Sequence, residues 1–162
     1  MRLTMHTDYA LRVLMHLGRL PPGGLASIHD IAEAHRISEN HLVKVVHGLG
    51  RAGFIETLRG RGGGLRLARP PGEIRVGDVV RHAEGDLAVV ACFGPDGRPG
   101  PGGGCVLAGA CRLQALLGEA LGAFMAVLDR ATLADLLPRP RPGTAARTGP
   151  PRDEEAPSAP AG

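Results

Sequence analysis

The sequence predicts a mostly α-helical protein with one small β-hairpin. Apolar residues recur at three- and four-residue steps in several stretches of residues 1–137, which is the helical period. Only one pair of short strand-like runs, 54–58 and 65–68, flanks a Gly-rich turn. The chain has no Trp, one Tyr and three Phe, so its core must be built from Leu, Val, Ile and Ala.

Three helices are expected before the hairpin, at residues 1–20, 28–35 and 39–52. Thr7 is the expected cap of the first helix, and Ser38 is the expected cap of the third. A tight turn joins the second helix to the third, whose first half places polar side chains opposite an apolar stripe. Two short helices joined in this way are typical of a helix-turn-helix, although a small helical bundle would give the same pattern.

The β-hairpin follows this pair of helices directly, and its turn runs from Arg59 to Gly64. The glycines let the backbone approach a phosphate or a groove floor, and the two arginines suit phosphate or minor-groove contact. Between residues 36 and 69 there are seven basic residues and two acids, an excess that suits double-stranded DNA. We therefore predict a winged helix-turn-helix. Its expected DNA-contact residues are Ser38, Glu39, Asn40, His41, Lys44, Arg59 and Arg61.

All three cysteines, Cys92, Cys105 and Cys111, lie in or beside one Gly- and Pro-rich loop. A loop of this composition is not expected to hold one shape by side-chain packing. Three thiolates converging on a metal ion or an iron–sulfur cluster would fix it, since cluster iron is held mainly by cysteine sulfur. Three alternatives remain open: small buried thiols, a Cys105–Cys111 disulfide, and a zinc site, for which the cysteine spacing is wide.

The second half of the chain is expected to contain a short helix at 76–84 and a long one at 111–130. The apolar stripe of the long helix is too extensive to be buried on the small domain before it, so we expect a twofold dimer. Residues 138–162 contain seven prolines and no apolar period, which predicts disorder. The predicted organisation is a DNA-binding domain at 1–75, a cluster-binding loop and dimerisation helix at 76–137, and a disordered tail at 138–162.

Neither a membrane span nor a signal peptide is expected. No apolar run approaches the roughly 20 residues that a span requires. Asp8, Arg12 and His16 interrupt the N-terminal apolar stretch. We expect a cytoplasmic protein without a membrane partner, whose thiols stay reduced. The histidines form no ligand-spaced pair beside a carboxylate, so an enzyme is not expected.

Over about residues 1–137 the chain resembles the NsrR/IscR family of winged-helix iron–sulfur transcription regulators. The resemblance is carried by MRLTxxTDYALRxL at the start, SENHLVKVV from Ser38, LRGRGGGLRLAR from Leu58, IRVGDVVR from Ile74, the three cysteines, and TLADL from Thr132. Among the branches of this family, the chain looks most like the NsrR type, the nitric-oxide-sensing repressors.

The resemblance implies a homodimer that binds a palindromic operator, carries one cluster per subunit and is released by nitric oxide. It implies that the three cysteines hold the cluster together with Asp8 of the partner subunit. IscR-type relatives carry a histidine shortly after the third cysteine, and Arg112, Leu113 and Gln114 stand there instead. This favours a 4Fe-4S cluster over a 2Fe-2S cluster.

One departure concerns the gap between Cys92 and Cys105, which is longer than the family usually shows. The extra residues either loop out at small entropic cost or leave the cluster more exposed. Two other functions stay open: a redox- or zinc-sensing DNA-binding regulator that uses the same cysteines, and a regulator of iron–sulfur biogenesis genes.

Overall fold

The computed structural model describes residues 2–98, 100, 105, 107 and 110–138, and it has the predicted fold class. In chain order the elements are α1 (Met5–Gly18), α2 (Ile28–His35), α3 (Glu39–Arg51), β1 (Ile55–Leu58), β2 (Gly64–Leu67), α4 (Val76–Glu84), α5 (Arg112–Arg130) and α6 (Leu133–Leu136). The strands pair antiparallel, with Ile55 opposite Leu67 and Leu58 opposite Gly64. The predicted disordered tail lies outside the described residues except for Pro138.

A continuous apolar core fixes the helix-turn-helix and the hairpin to α1. Val13, Leu14, Ile31 and Leu42 are completely buried in it, and Leu49 almost so. Burying one such side chain contributes about 1.5–3 kcal/mol. Because α3 contributes residues on one face to this core, its opposite face is held open to solvent in a fixed orientation.

The helix ends follow local side-chain chemistry, with one correction. Thr4, not Thr7, is the N-cap of α1, and its hydroxyl accepts a hydrogen bond from the Thr7 amide at 3.3 Å. The prediction that Thr7 caps this helix is wrong, because Thr7 lies inside the first turn and is completely buried. The capping box at α2 is present, since Ser27 and Asp30 bond each other's backbone reciprocally.

A second apolar cluster joins α4 to α5 and to the start of the cysteine loop. It contains Val76, Val80, Phe93, Leu121 and Met125. The neighbouring Val79 belongs to the core of the helix-turn-helix, so α4 contacts both clusters.

Arg81 adds a polar tie between the two helices, since it bonds Asp78 on α4 and Asp129 on α5. By contrast, Leu113, Leu116 and Val127 of α5 are 60%, 61% and 55% exposed. Among the described residues, no helix is both long and apolar enough to cross a membrane.

The protein itself holds the first half of the cysteine loop. Phe93 is buried, the Gly94 amide donates to the Arg98 carbonyl at 2.9 Å, and the Gly100 amide donates to the Cys92 carbonyl at 2.9 Å. Gly97 has φ +75°, and a Cβ there would lie 2.6 Å from the Leu121 side chain, so only glycine fits. The prediction that packing cannot fix the loop is therefore wrong for residues 92–98. Residues 99, 101–104, 106, 108 and 109 are outside the described part.

Candidate DNA interface and cysteine site

The exposed face of α3 carries the predicted DNA-contact residues of the helix-turn-helix. Ser38, Glu39, Asn40, His41 and Lys44 are all exposed. Ser38 occupies the N-cap position, but its side chain makes no capping hydrogen bond. All five side chains are thus presented together at the amino-terminal half of one rigid helix.

Two of these side chains are oriented by neighbouring helices. Glu39 accepts a hydrogen bond from Nδ1 of His29 on α2 at 2.7 Å, and this bond with the carboxylate charge raises the pKa of His29. The His41 ring stacks beside Tyr9 of α1, with centroids 6.2 Å apart. The recognition helix therefore receives side-chain support from both α1 and α2.

The hairpin turn presents the other two predicted contact residues, Arg59 and Arg61, at exposed positions. Arg66 pairs with Glu56 across the strands, whereas neither turn arginine takes part in an ion pair within the described residues. The turn requires glycine at position 63, because a Cβ there would lie 2.2 Å from the Leu58 carbonyl oxygen. This compact turn leaves both guanidinium groups available to an external anion.

Sequence reasoning missed two exposed side chains on α3. Val43 is 51% exposed and lies beside Lys44, and Arg51 is exposed near the end of the helix. The sequence does indicate that Val43 is exposed, since this residue falls outside the buried apolar stripe of Leu42, Val45 and Val46. An exposed valine on a base-reading helix can contact a thymine methyl group.

The three cysteines are free thiols; Cys92 and Cys111 are half-buried, and Cys105 is exposed. Within the described part of the chain, no three or more His, Cys, Asp or Glu side chains are grouped so that they could hold a metal ion. Gln114 nevertheless connects two of the cysteine positions. Its amide nitrogen donates to the carbonyls of Cys92 at 3.3 Å and of Gly100 at 3.0 Å, one turn after Cys111. In the sequence, Gln114 served only to show that the histidine of IscR-type relatives is missing after Cys111.

Asp8 lies in the first turn of α1, where its carboxylate accepts a hydrogen bond from Nε of Arg12 at 2.9 Å. Both side chains are about half exposed, and such surface pairs contribute only about 0–1 kcal/mol. Exchanging Arg12 for another partner of the Asp8 carboxylate would therefore cost little free energy. The structure does not place Asp8 with the cysteines of the same chain among the described residues.

A carboxylate at the end of α4 holds the start of α1, and sequence reasoning did not find it. Oε1 of Glu84 accepts hydrogen bonds from the Thr4 amide at 2.8 Å, the Thr4 hydroxyl at 3.2 Å and the buried Thr7 hydroxyl. We call this contact the Glu84 clamp. It joins the turn that carries Asp8 to the helix that leads into the cysteine loop.

The donor chemistry fits an iron–sulfur cluster. Thiolates are the usual ligands of cluster iron, and three unoxidised thiols are present in one segment. Cys111 also stands at the N-cap of α5, where the helix dipole favours negative charge. Cys92, Cys105 and Cys111 are thus suitable ligands, and a carboxylate such as Asp8 can complete a set of four.

Known proteins resemble this chain over most of its length. The HTH-type transcriptional regulator NsrR of Geobacillus kaustophilus is 53% identical over 137 residues, which cover 85% of this chain and 90% of that protein. NsrR of Bacillus subtilis is 48% identical over 137 residues, with the same coverage. The solved structure of CymR, the global cysteine regulator of B. subtilis, has a TM-score of 0.68 and 28% identity, covering 84% of this chain and 95% of that chain. The solved structure of IscR of T. potens has a TM-score of 0.65 and 26% identity, and the match covers 84% of this chain and 85% of that chain.

The two NsrR relatives are named as transcriptional regulators and not as enzymes, in agreement with the expectation from the sequence. Residues 3–139 match the Rrf2 family, described as an iron-dependent transcriptional regulator. With that match, the helix-turn-helix and its hairpin identify a DNA-binding regulator, and the chain belongs to the Rrf2 family.

Proposed function

We propose that the chain is a dimeric repressor whose operator binding depends on an iron–sulfur cluster and is ended by nitric oxide. One observation carries the proposal: polar contacts tie both ends of the cysteine segment to functional helices. The Glu84 clamp holds the start of α1, which bears Asp8, and Gln114 holds Cys92 beside the start of α5. The likeness to regulators named NsrR supports the choice of effector.

The proposed ligands are Cys92, Cys105 and Cys111 together with Asp8 of the partner subunit, for a 4Fe-4S cluster, with 2Fe-2S as the alternative. When bound, the cluster would supply iron able to react with nitric oxide, and Asp8 would hold one iron through a carboxylate oxygen in place of the sulfur that cluster iron prefers. To serve as this ligand, Asp8 must give up its pair with Arg12, which is a weak surface contact.

The clamp provides a route from the cysteine segment to the DNA interface. Glu84 is the last residue of α4, and the chain continues from it directly into the segment that contains Cys92. A displacement of that segment would pull on the clamp and shift the start of α1. Because α1 packs on α3, the recognition helices of a dimer would then no longer match the spacing of their half-sites.

The exposed apolar face of α5 supports the proposed dimer. Leu113, Leu116 and Val127 remain mostly exposed in the single chain, whereas Leu121 and Met125 are buried within it. A twofold axis would bring the same face of a second copy onto these residues. We keep the division into a DNA-binding domain at 1–75 and a cluster and dimerisation region at 76–137 as a proposal.

The experiment combines cluster content and DNA binding in one anaerobic titration. An operator is first selected from a pool of random duplexes with protein purified anaerobically, whose iron and sulfide are measured. Nitric oxide is then added while absorbance and operator binding are followed together. We expect binding to fall in step with cluster loss, and we expect Cys111→Ala to behave like the nitric-oxide-treated protein.

Three outcomes would contradict this proposal. Operator binding that persists after complete cluster loss would leave a regulator whose cysteines do not control DNA binding. Zinc without sulfide would favour the zinc-sensing alternative. Binding that follows cluster content but ignores nitric oxide would favour a regulator of iron–sulfur biogenesis genes.

A further inference from the structure

A groove of about 480 Å³ lies beside the recognition helix, between α3, the start of α1 and α4. We call it the cationic groove. It is lined by His6, Lys44, His47, Gly48, Arg51, Ala52 and His82. Five of these seven residues are basic or imidazole side chains, and none is acidic. Only Lys44 belongs to the DNA contacts that the sequence predicts.

Two imidazoles converge on the groove floor beside Gly48 of α3. Nε2 of His82 lies 3.1 Å from the Gly48 carbonyl oxygen. A Cβ on Gly48 would lie 3.6 Å from Nε2 of His82 and 3.9 Å from Nε2 of His6. The absent side chain leaves the helix surface open between the two rings, which come from α4 and α1.

The groove walls are ordered, and no neighbouring acid neutralises them. The His82 ring packs edge-on against Phe54, with centroids 5.9 Å apart. Neither Lys44 nor Arg51 forms an ion pair within the described residues. The acids of the surrounding helices are engaged elsewhere: Asp8 with Arg12, Glu39 with His29, Asp78 with Arg81, and Glu84 with Thr4 and Thr7.

The groove continues towards the part of α3 that is proposed to read bases. A smaller adjoining groove of about 210 Å³ shares His6 and Lys44 with it and reaches Tyr9 and His41. A DNA backbone strand flanking the major groove would follow such a path, since α3 would enter the groove beside it. Concentrated positive charge with little competing negative charge is what a phosphodiester requires.

We propose that the cationic groove binds a phosphodiester of the DNA backbone, so that α1 and α4 contact DNA together with the helix-turn-helix and the hairpin. The inference rests on the proposed DNA binding and extends it to a site outside the predicted contacts.

The first test measures how binding to a duplex of mixed sequence depends on salt, with cluster-free protein at pH 8. Arg51→Gln removes one phosphate contact and should reduce the slope of log affinity against log salt by about one unit. Arg19→Gln is the matched control, because Arg19 is exposed just beyond the other end of α1, about 20 Å from His6 at 1.5 Å per residue. The control should leave the slope unchanged.

The second test, also at pH 8, places a carboxylate in the groove. Ala52→Glu and Arg19→Gln each lower the net charge by one, and only Ala52 lines the groove, so Ala52→Glu should weaken binding to the same duplex more than Arg19→Gln does. Equal slopes for Arg51→Gln and Arg19→Gln, or equal affinities for Ala52→Glu and Arg19→Gln, would overturn the inference. Equal operator affinity with and without cluster would instead refute the proposed cluster control and leave the groove result standing.

Discussion

The DNA-reading region and the cysteine region of this protein are built by different physical means. In residues 4–67, large apolar side chains from three helices and the hairpin share one core, and the functional side chains project from its outer face. Among the described residues between 84 and 114, order comes from the buried Phe93, from backbone hydrogen bonds and from the polar side chains of Glu84 and Gln114. The first region is therefore expected to be rigid, and the second to respond to what binds there.

The largest effect on stability should come from the core of the DNA-reading region. Leu42→Ala would leave a cavity at a completely buried position of α3 and should cost about 2–5 kcal/mol of unfolding free energy. Urea denaturation measures this cost, and Val43→Ala on the exposed side of the same helix is the control. A loss below about 1 kcal/mol for Leu42→Ala would mean that the core does not hold the recognition helix.

The next largest effect should be on assembly. Leu116→Asp would place a charge on the exposed apolar face of α5, and we expect the dimer to dissociate in sedimentation experiments while the monomer stays folded. Leu121→Asp is unsuitable for this test, because Leu121 is buried within its own chain. A Leu116→Asp protein that remains dimeric would place the interface elsewhere.

The Glu84 clamp gives a test of how the two regions are connected. Glu84→Ala removes the carboxylate that accepts from the buried Thr7 hydroxyl, which should cost about 1–3 kcal/mol, whereas water can replace it at the exposed Thr4 amide. If the clamp couples the regions, the ratio of operator affinities with and without cluster should also move towards one. Asp86→Ala, two residues further along the chain, is the comparison variant. An unchanged ratio in Glu84→Ala would remove the clamp from the proposed route.

Gln114→Ala should affect only the cysteine region. The variant loses the hydrogen bonds to the Cys92 and Gly100 carbonyls, so we expect faster cluster loss in air, measured by the decay of absorbance. DNA binding by the cluster-free protein should stay at the wild-type level, because the side-chain hydrogen bonds of Gln114 within the described structure go to Cys92 and Gly100, both in the cysteine region. Cluster lifetimes that equal the wild-type value would show that Gln114 does not organise the site.

The same contrast explains what the sequence could predict. Repeated apolar steps and capping residues predicted α1 to α5 in order and the hairpin, because these signals arise from neighbours along the chain. The short helix α6 was not predicted as a helix. The cap at Thr4 rests on a hydrogen bond between residues three apart, so the sequence carried that signal. The Glu84 clamp, by contrast, depends on contacts between residues 77 or more positions apart, which no local pattern encodes. Gly97 likewise looked like part of a flexible loop, although its place is set by the Leu121 side chain.

The smallest effects should appear as two opposite pH dependences within α2. The pKa of His29 is raised by its hydrogen bond to Glu39, so this pair stabilises the fold below the unfolded pKa of about 6.5, and the contribution is lost as the pH rises through the folded value. The pKa of His35 is lowered, first by burial and then by His16, whose Nδ1 lies 3.3 Å from Nε2 of His35. Protonation of His35 therefore opposes folding.

The stabilising effect of the neutral His35 is fully present above pH 6.5 and declines as the pH falls from there towards the folded value. Acid should consequently weaken the α1–α2 contact while it preserves the α2–α3 contact. Unfolding free energies of His29→Gln and His35→Gln, measured from pH 8 to pH 5, separate the two contributions. Relative to the wild-type protein, His29→Gln should lose stability as the pH falls, and His35→Gln should gain it. If both variants follow the wild-type curve, these histidines do not set the acid response of the helix-turn-helix.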